Sequence, residues 1–396
     1  STSEPMTNRV CLTDPYLAKF EARVTQKRSV QGRWEVLTDS TIFYPEGGGQ
    51  PSDKGLLANC PVEDLKVDSS GDIVHTLSKD PGAAEGDPVT MEIDLSRRFD
   101  FMQQHTGQHL LSQVILREAN AETLSFSMGE EHSSIEIDLA GVEQQRISLW
   151  EDECAKLILA ALPVKVSLHE DISLIPLRKP PKVSGTVRVV EIEGYDLSAC
   201  GGTHVRNTRE LMVVKILKTD RVRSRIRLYF TVGLRALRDY RWKNSLLNDL
   251  QRLMGTPQEE LLREAEKQKA EREMMGKELK QLHKEGLERL LSSLLEGGEP
   301  YLERELPGWE SGELRLFATS LSKEGRNVVA YSRDKGHIVV ARGKGNKDLR
   351  TLSSLVFPPL QGRGGGREDL LEGKVGSWDG LTQVLGLLRE TLGRGS

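Results

Sequence analysis

Apolar residues in roughly the first ninety positions fall in short alternating runs, RWEVLTDSTIFYP and DIVHTL among them, separated by PEGGGQPSDKG and SKDPGAAEGDP. Period-two alternation bounded by glycine, proline and aspartate clusters is the mark of strands and turns. A small β-rich domain, a barrel, is expected over 1–90. From Asp94 the period changes. Phe99, Met102, Leu110, Val114 and Leu116 supply one apolar face behind Ser96, which reads as an N-cap, so RRFDFMQQHTGQHLLSQVILREA is expected to be a helix. Alternation returns in SSIEIDLA, gives way to a helical stretch across ISLWEDECAKLILAAL, and resumes in VKVSLHE, TVRVVEIEG, ELMVVKILKTD and SRIRLYFTVG. An α+β domain of helices covering one mostly antiparallel sheet follows for 91–235.

Beyond Leu237 charge becomes dense and leucines stand three or four apart, interrupted by MGTPQEE. Two helices forming a hairpin or coiled coil are predicted over 236–297. After GGEP, the strand-like runs RNVVAYSR and HIVVARG, the glycine-rich QGRGGGRED, read as a flexible loop, and the amphipathic LTQVLGLLRETL predict a small α/β domain over 298–396. The fold class is therefore α+β. A chain of 396 residues holds two to four domains at roughly 100 to 200 residues each.

Composition narrows the setting. The four cysteines stand singly, without disulfide-like spacing, which reads as a reducing compartment. The polar start lacks the charged and then apolar order of a signal peptide, and no apolar run reaches the ~18 residues that cross a bilayer, so a soluble cytoplasmic protein with no membrane contact is expected. A net charge of -4 gives no global attraction to nucleic acid, and any RNA partner must be held by local basic clusters.

The candidate chemistry is a metal site. His105-Thr-Gly-Gln-His109 places two imidazoles at i and i+4, on one face of a helix roughly 5 to 6 Å apart. Cys200-Gly-Gly-Thr-His204 adds a thiolate and a third imidazole on a compact glycine turn, and Cys200 is the one cysteine with histidine company. Imidazole plus thiolate in a set of four suits a tetrahedral zinc, one ion per chain, although iron or nickel could occupy it in vitro. Four protein ligands would close the shell into a structural site, whereas a hydrolytic zinc keeps a position for water or substrate. The spacing leaves both readings open.

HTGQHLL and CGGTH, about ninety residues apart and preceded by PEGGGQP, resemble the motif set of alanyl-tRNA synthetase editing domains and of the freestanding AlaX proteins, strongly over roughly 35–235. The resemblance implies zinc-dependent hydrolysis of the ester joining serine, and sometimes glycine, to tRNA(Ala), with His105, His109, Cys200 and His204 at the metal positions. Threonine-specific tRNA stays open, since the threonyl-tRNA synthetase editing domain shares the broader pattern. No aminoacylation motif precedes these residues, so editing without charging is expected. Serine differs from alanine by a hydroxyl that a small synthesis pocket excludes weakly, and a second hydrolytic site that hydrogen-bonds the hydroxyl restores accuracy.

Further roles are expected for particular residues. Ser125 and Ser127 lead the candidates for that hydroxyl, ahead of Thr106, Thr123 and Thr203. The N–H groups of Gly201 and Gly202 would stabilise an oxyanion. Gln104 or Gln108 would orient water, and no dedicated base stands out. Gly47, Gly48, Gly49 and Gln50 would let the tRNA end approach the backbone. Arg221, Arg223, Arg225 and Arg227, two apart, would line one strand face as a phosphate stripe. The leucine-rich helices suggest a homodimer through the C-terminal region, and Arg363 to Arg367 with Lys344 and Lys347 are a candidate second tRNA contact there, beside the plainer reading of a flexible glycine loop. Two rivals remain: a zinc peptidase, which would need a glutamate where Thr106 stands, and an RNA-binding protein with a closed structural zinc.

Overall fold

The computed structural model describes residues 7–181 and 185–393. The first of its two compact units spans 1–249 and the second 250–396. No helix among the described residues is long and apolar enough to cross a membrane. The polar start noted above lies mostly in 1–6, outside the described residues.

In the first unit, Lys19–Val30 (β1), Arg33–Thr38 (β2), Gly55–Leu57 (β3), Cys60–Val67 (β4), Ile73–Leu77 (β5) and Pro88–Ile93 (β6) close into a barrel in the order β1-β2-β5-β4-β3-β6. Its interior packs Val24, Val36, Phe43, Leu57, Ile73 and Met91. His75 sits in this core, its Nδ1 donating to the Val36 carbonyl at 2.9 Å and its Nε2 accepting from the Thr41 hydroxyl at 2.8 Å. Burial holds that imidazole neutral, with its pKa pushed down to about 4.

Helix α1 (Leu95–Ala119) follows directly. Its N-cap is Asp94, whose carboxylate accepts from the Arg97 N–H, and Ser96 lies inside the first turn. The helix is not one-sided. From Phe101 to Ser112 every residue is buried, Gln103, Gln104, His105, Thr106, Gln108 and His109 included. The two layers beyond it explain why. A four-stranded antiparallel sheet is built from Thr123–Met128 (β7), Ser133–Ile137 (β8), Val214–Val222 (β12) and Arg225–Val232 (β13), in the order β12-β13-β8-β7. A separate three-stranded sheet joins Val164–His169 (β9), Val187–Ile192 (β10) and Asp196–Ala199 (β11). The single expected sheet is therefore two, and the sequence reading missed β11. Helix α2 (Gln144–Leu159) contributes Trp150 and Cys154 to the shared core.

Helix α3 (Leu234–Met254) carries the chain across the unit boundary and stops at Gly255, which takes a left-handed φ of 63°. The first helix wholly inside the second unit is α4 (Leu261–Glu296). A five-stranded sheet follows, from Tyr301–Glu305 (β14), Asn327–Ser332 (β15), His337–Ala341 (β16), Arg363–Arg367 (β17) and Leu370–Lys374 (β18), ordered β14-β15-β16-β18-β17. Helix α5 (Ser311–Ser322) belongs to one apolar cluster and helix α6 (Leu381–Leu392) to another. The RGGGR segment expected to be a loop is the edge strand β17. A Cβ at Gly364 would meet Phe357 Cζ at 2.3 Å and one at Gly366 the Leu370 carbonyl at 1.9 Å, so the glycines let this strand lie close against its neighbours.

Candidate metal centre

Helix α1 and the loop after β11 bring His105, His109, Cys200 and His204 together, with one potential ligand atom from each within 4.8 Å of the others. The Cys200 sulfur lies 3.3 Å from Nε2 of His105 and 3.3 Å from Nε2 of His204. Ligands at ordinary zinc–nitrogen and zinc–sulfur distances in a tetrahedron stand about 3.5 Å apart, so the spacing fits a four-coordinate ion. All three rings are buried, and burial favours their neutral form: it takes His105 down to about 3 and holds His109 and His204 well below the usual histidine range. Neutral imidazole is the ligand form. Burial raises the Cys200 thiol, while the Gly202 N–H at 3.4 Å and the nearby Arg188 favour the thiolate.

The polar atoms around the rings fit the same purpose. His105 Nδ1 faces Gln50 Oε1 at 3.0 Å, and His204 Nδ1 faces Thr106 Oγ1 at 3.0 Å. Each contact occupies Nδ1 and leaves Nε2 toward Cys200. Gln50 also accepts from the Thr203 N–H at 3.0 Å and donates to the Thr203 hydroxyl at 2.8 Å, so one amide ties the barrel-side glycine hairpin to both motifs. The hairpin itself is tight. Gly47 and Gln50 exchange backbone hydrogen bonds, and Gly48 and Gly49 between them take φ of 58° and 86°. The buried Arg98, on α1, pairs with Asp53 and donates to the Ile42 and Pro15 carbonyls, which anchors the same segment to the helix.

Gly202 is required by contact rather than by φ. A Cβ there would lie 2.2 Å from His105 Cε1 and 2.9 Å from Gln50 Oε1. Arg188 clamps the turn from beneath, donating to the carbonyls of Cys200 and Gly202 at 2.9 and 2.6 Å. It also lines a cavity of about 580 Å³ that reaches His204, with Arg9, Arg206, Leu12 and the β9 residues Val164 and Val166.

Several residues singled out from the sequence sit elsewhere. Phe126 turns toward the cluster, its ring 5.5 Å from that of His105, so Ser125 and Ser127 on either side of it project from the opposite, exposed face of β7. Thr106 is engaged with His204 and the Val205 N–H, and Thr123 donates to Ser112. Gln104 cannot orient water in the site: its amide donates to the Val232 carbonyl at 2.8 Å and accepts from the Val232 N–H at 2.9 Å. Gln108 is bonded to Ser112. The Gly202 N–H points at the Cys200 sulfur, which removes it as an oxyanion donor; Gly201 is exposed at the rim. The side chain of Gln50 is buried, with its amide engaged by His105 and Thr203. Arg221, Arg223, Arg225 and Arg227 do not share one strand: they run around the β12–β13 hairpin, with Arg223 at its turn (φ 58°) and Arg225 and Arg227 both paired to Glu136.

The family model described as the threonyl and alanyl tRNA synthetase second additional domain matches residues 187–229, the stretch that holds CGGTH. The chain is 31% identical over 394 residues to the alanyl-tRNA editing protein AlaX-L of Pyrococcus horikoshii, covering 93% of this chain and 95% of that protein. It is 36% identical over 247 residues to the alanyl-tRNA editing protein Aarsd1 of Danio rerio, 58% of this chain and 59% of that one. Against the alanine–tRNA ligase of Pyrococcus furiosus it is 31% identical over 396 residues, 94% of this chain but 42% of the ligase. This chain belongs to the alanyl-tRNA editing proteins.

Proposed function

We propose that this chain is a trans-editing hydrolase that deacylates mischarged tRNA(Ala), chiefly Ser-tRNA(Ala) and also Gly-tRNA(Ala), at a zinc held by His105, His109, Cys200 and His204. The observation that carries this reading is the convergence of three neutral imidazoles and a thiol with each of two rings fixed through Nδ1 by Gln50 and Thr106. Zinc bound there supplies Lewis-acid polarisation of the ester carbonyl. The protein's own groups do the rest. Arg188 and Gln50 keep the Cys200–His204 turn rigid, and the oxyanion contact falls to the Gly201 N–H at the exposed rim of the cluster. No carboxylate of the described residues belongs to the cluster, so proton transfer is assigned to water or a ribose hydroxyl of the terminal adenosine.

The acylated end of the tRNA approaches through the cavity lined by His204, Arg9, Arg188 and Arg206. Guanidinium groups beside an apolar strand face suit a phosphate and a base together. The exposed Gly47–Gly49 hairpin, packed over Phe126, offers further backbone to the same end. Tyr16, under the Arg206 guanidinium at 4.1 Å, adds an aromatic surface at the cavity's edge.

A panel of acylated tRNAs tests this directly. Purified protein with serine, glycine or alanine on tRNA(Ala), and threonyl-tRNA(Thr) beside them, should strip serine fastest and glycine more slowly, and spare alanine by at least ~100-fold. Equal loss of alanine would refute an editing role. Inertness of the zinc-replete protein toward every substrate would favour an RNA-binding protein with a closed structural site.

A further inference from the structure

Two of the three cluster imidazoles have an Nδ1 partner within 3.0 Å, and the third does not. His109 Nδ1 is buried without a hydrogen-bond partner, and so is one oxygen of a single nearby carboxylate, Asp196 Oδ2. The two orphaned atoms face each other across 3.8 Å. A buried donor and a buried acceptor left unmade at that separation are one small ring rotation from a charge-assisted bond of roughly 2.7 to 2.9 Å.

We infer that Asp196 is the positioning residue of His109: its Oδ2 accepts the Nδ1 proton and so turns Nε2 toward the ion. Arg178 makes this geometry available. It binds the other oxygen, Oδ1, at 2.8 Å through Nε and reaches Ser198 Oγ at 3.2 Å, which fixes the carboxylate plane and leaves Oδ2 for the imidazole. Strand β11 carries Asp196 near its start and leads straight into Cys200, so one short element delivers both a ligand and the group that orients another ligand. The three rings are then held unequally, two by a neutral amide or hydroxyl and His109 by a carboxylate, which makes His109 the strongest donor of the three. The inference rests on the reading that the cluster holds a metal, and its test separates the two.

The experiment is zinc affinity, measured on the full chain by competition with a chromophoric chelator, for the native protein, Asp196→Asn, His109→Ala and the double variant. Loss of an orienting partner of this kind weakens metal binding about 10- to 100-fold. Asp196→Asn should show that loss in a chain that is still folded when chelated, judged by circular dichroism. In the His109→Ala background it should add less than about threefold. An equal loss in both backgrounds would mean that Asp196 merely supports Arg178, and native affinity in Asp196→Asn would exclude any role; either outcome overturns the inference while leaving the metal reading intact. Failure of the native chain to bind zinc overturns both. Should Asp196→Asn unfold, the pair Asp196→Asn with Arg178→Gln, which removes the buried cation as well, carries the same comparison.

Discussion

At the scale of single residues, the centre depends on contacts that have no slack. The methyl group of Gly202→Ala would enter the His105 ring and crowd Gln50. Since neither the helix-borne ring nor the clamped turn can retreat, this substitution should cost at least tenfold in zinc affinity and ~100-fold in deacylation, checked by metal content after dialysis and by single-turnover rates. Retention of both would show that the turn yields where these contacts require it to hold. His75 gives a prediction about stability. Its native pKa is lowered to about 4, against ~6.5 in the unfolded chain. Above pH ~6.5 neither state is protonated and the fold keeps its full stability. As pH falls from ~6.5 toward about 4 the unfolded chain takes up a proton that the buried ring refuses, so stability drops by up to about 1.4 kcal/mol per pH unit. Urea unfolding of His75→Phe should therefore show a shallower loss between pH 7 and 5 than the native chain, even if its stability at pH 7 is lower. Parallel curves would contradict the assignment.

At the scale of elements, helix α1 is where sequence and structure diverge most usefully. Its apolar positions and its two histidines were legible from spacing, and so were the helices on either side of MGTPQEE. What periodicity could not show is that the helix is surrounded. A buried glutamine looks in sequence like a surface one until its partner is known, and Gln103 and Gln104 find theirs about 130 residues away, at Leu234 and Val232. Gln104→Ala should accordingly destabilise the protein by about 1–3 kcal/mol through the unpaired Val232 groups, read by denaturant midpoint, while the folded variant keeps deacylation within ~3-fold. A large loss of rate without loss of stability would return Gln104 to the catalytic machinery. The two motifs of the cluster were legible because each is local. Asp196, Arg178 and Arg188 were not, and Gln50 was marked by its glycine motif for the tRNA end rather than for His105, since nothing local marks a residue whose role depends on a ring supplied by another element. The serines of β7 failed on a parity argument: proximity in sequence to the histidine helix says nothing about which strand face a side chain takes, and Phe126 takes the inner one.

At the scale of the whole molecule, an acidic chain must find an anionic partner through local charge. Glu136 already pairs Arg225 and Arg227, so that patch is partly neutralised. Arg9 and Arg206 line the cavity beside the cluster, with Arg206 3.5 Å from the carboxylate of Asp14. Replacing both by alanine should weaken tRNA binding and reduce the slope of log affinity against log salt by about 1 to 2. The Arg225→Ala, Arg227→Ala pair should change both less, and the reverse order would move the RNA contact to the β12–β13 hairpin. The second unit has its own cores and, on α4, exposed Met275, Leu279 and Leu282. We propose that this face meets a second copy of the chain, and sedimentation equilibrium should find dimers at micromolar concentration, whereas a monomer would remove the claim.

If the four-residue cluster is a metal-dependent editing centre, deacylation must follow metal occupancy. Protein stripped by a chelator and retitrated with zinc would be followed in single-turnover deacylation of Ser-tRNA(Ala), with Cys200→Ala alongside. The rate should rise in proportion to bound zinc, level at one ion per chain and stay near background in the variant. Full activity in the stripped protein, or in Cys200→Ala without metal, would contradict that dependence.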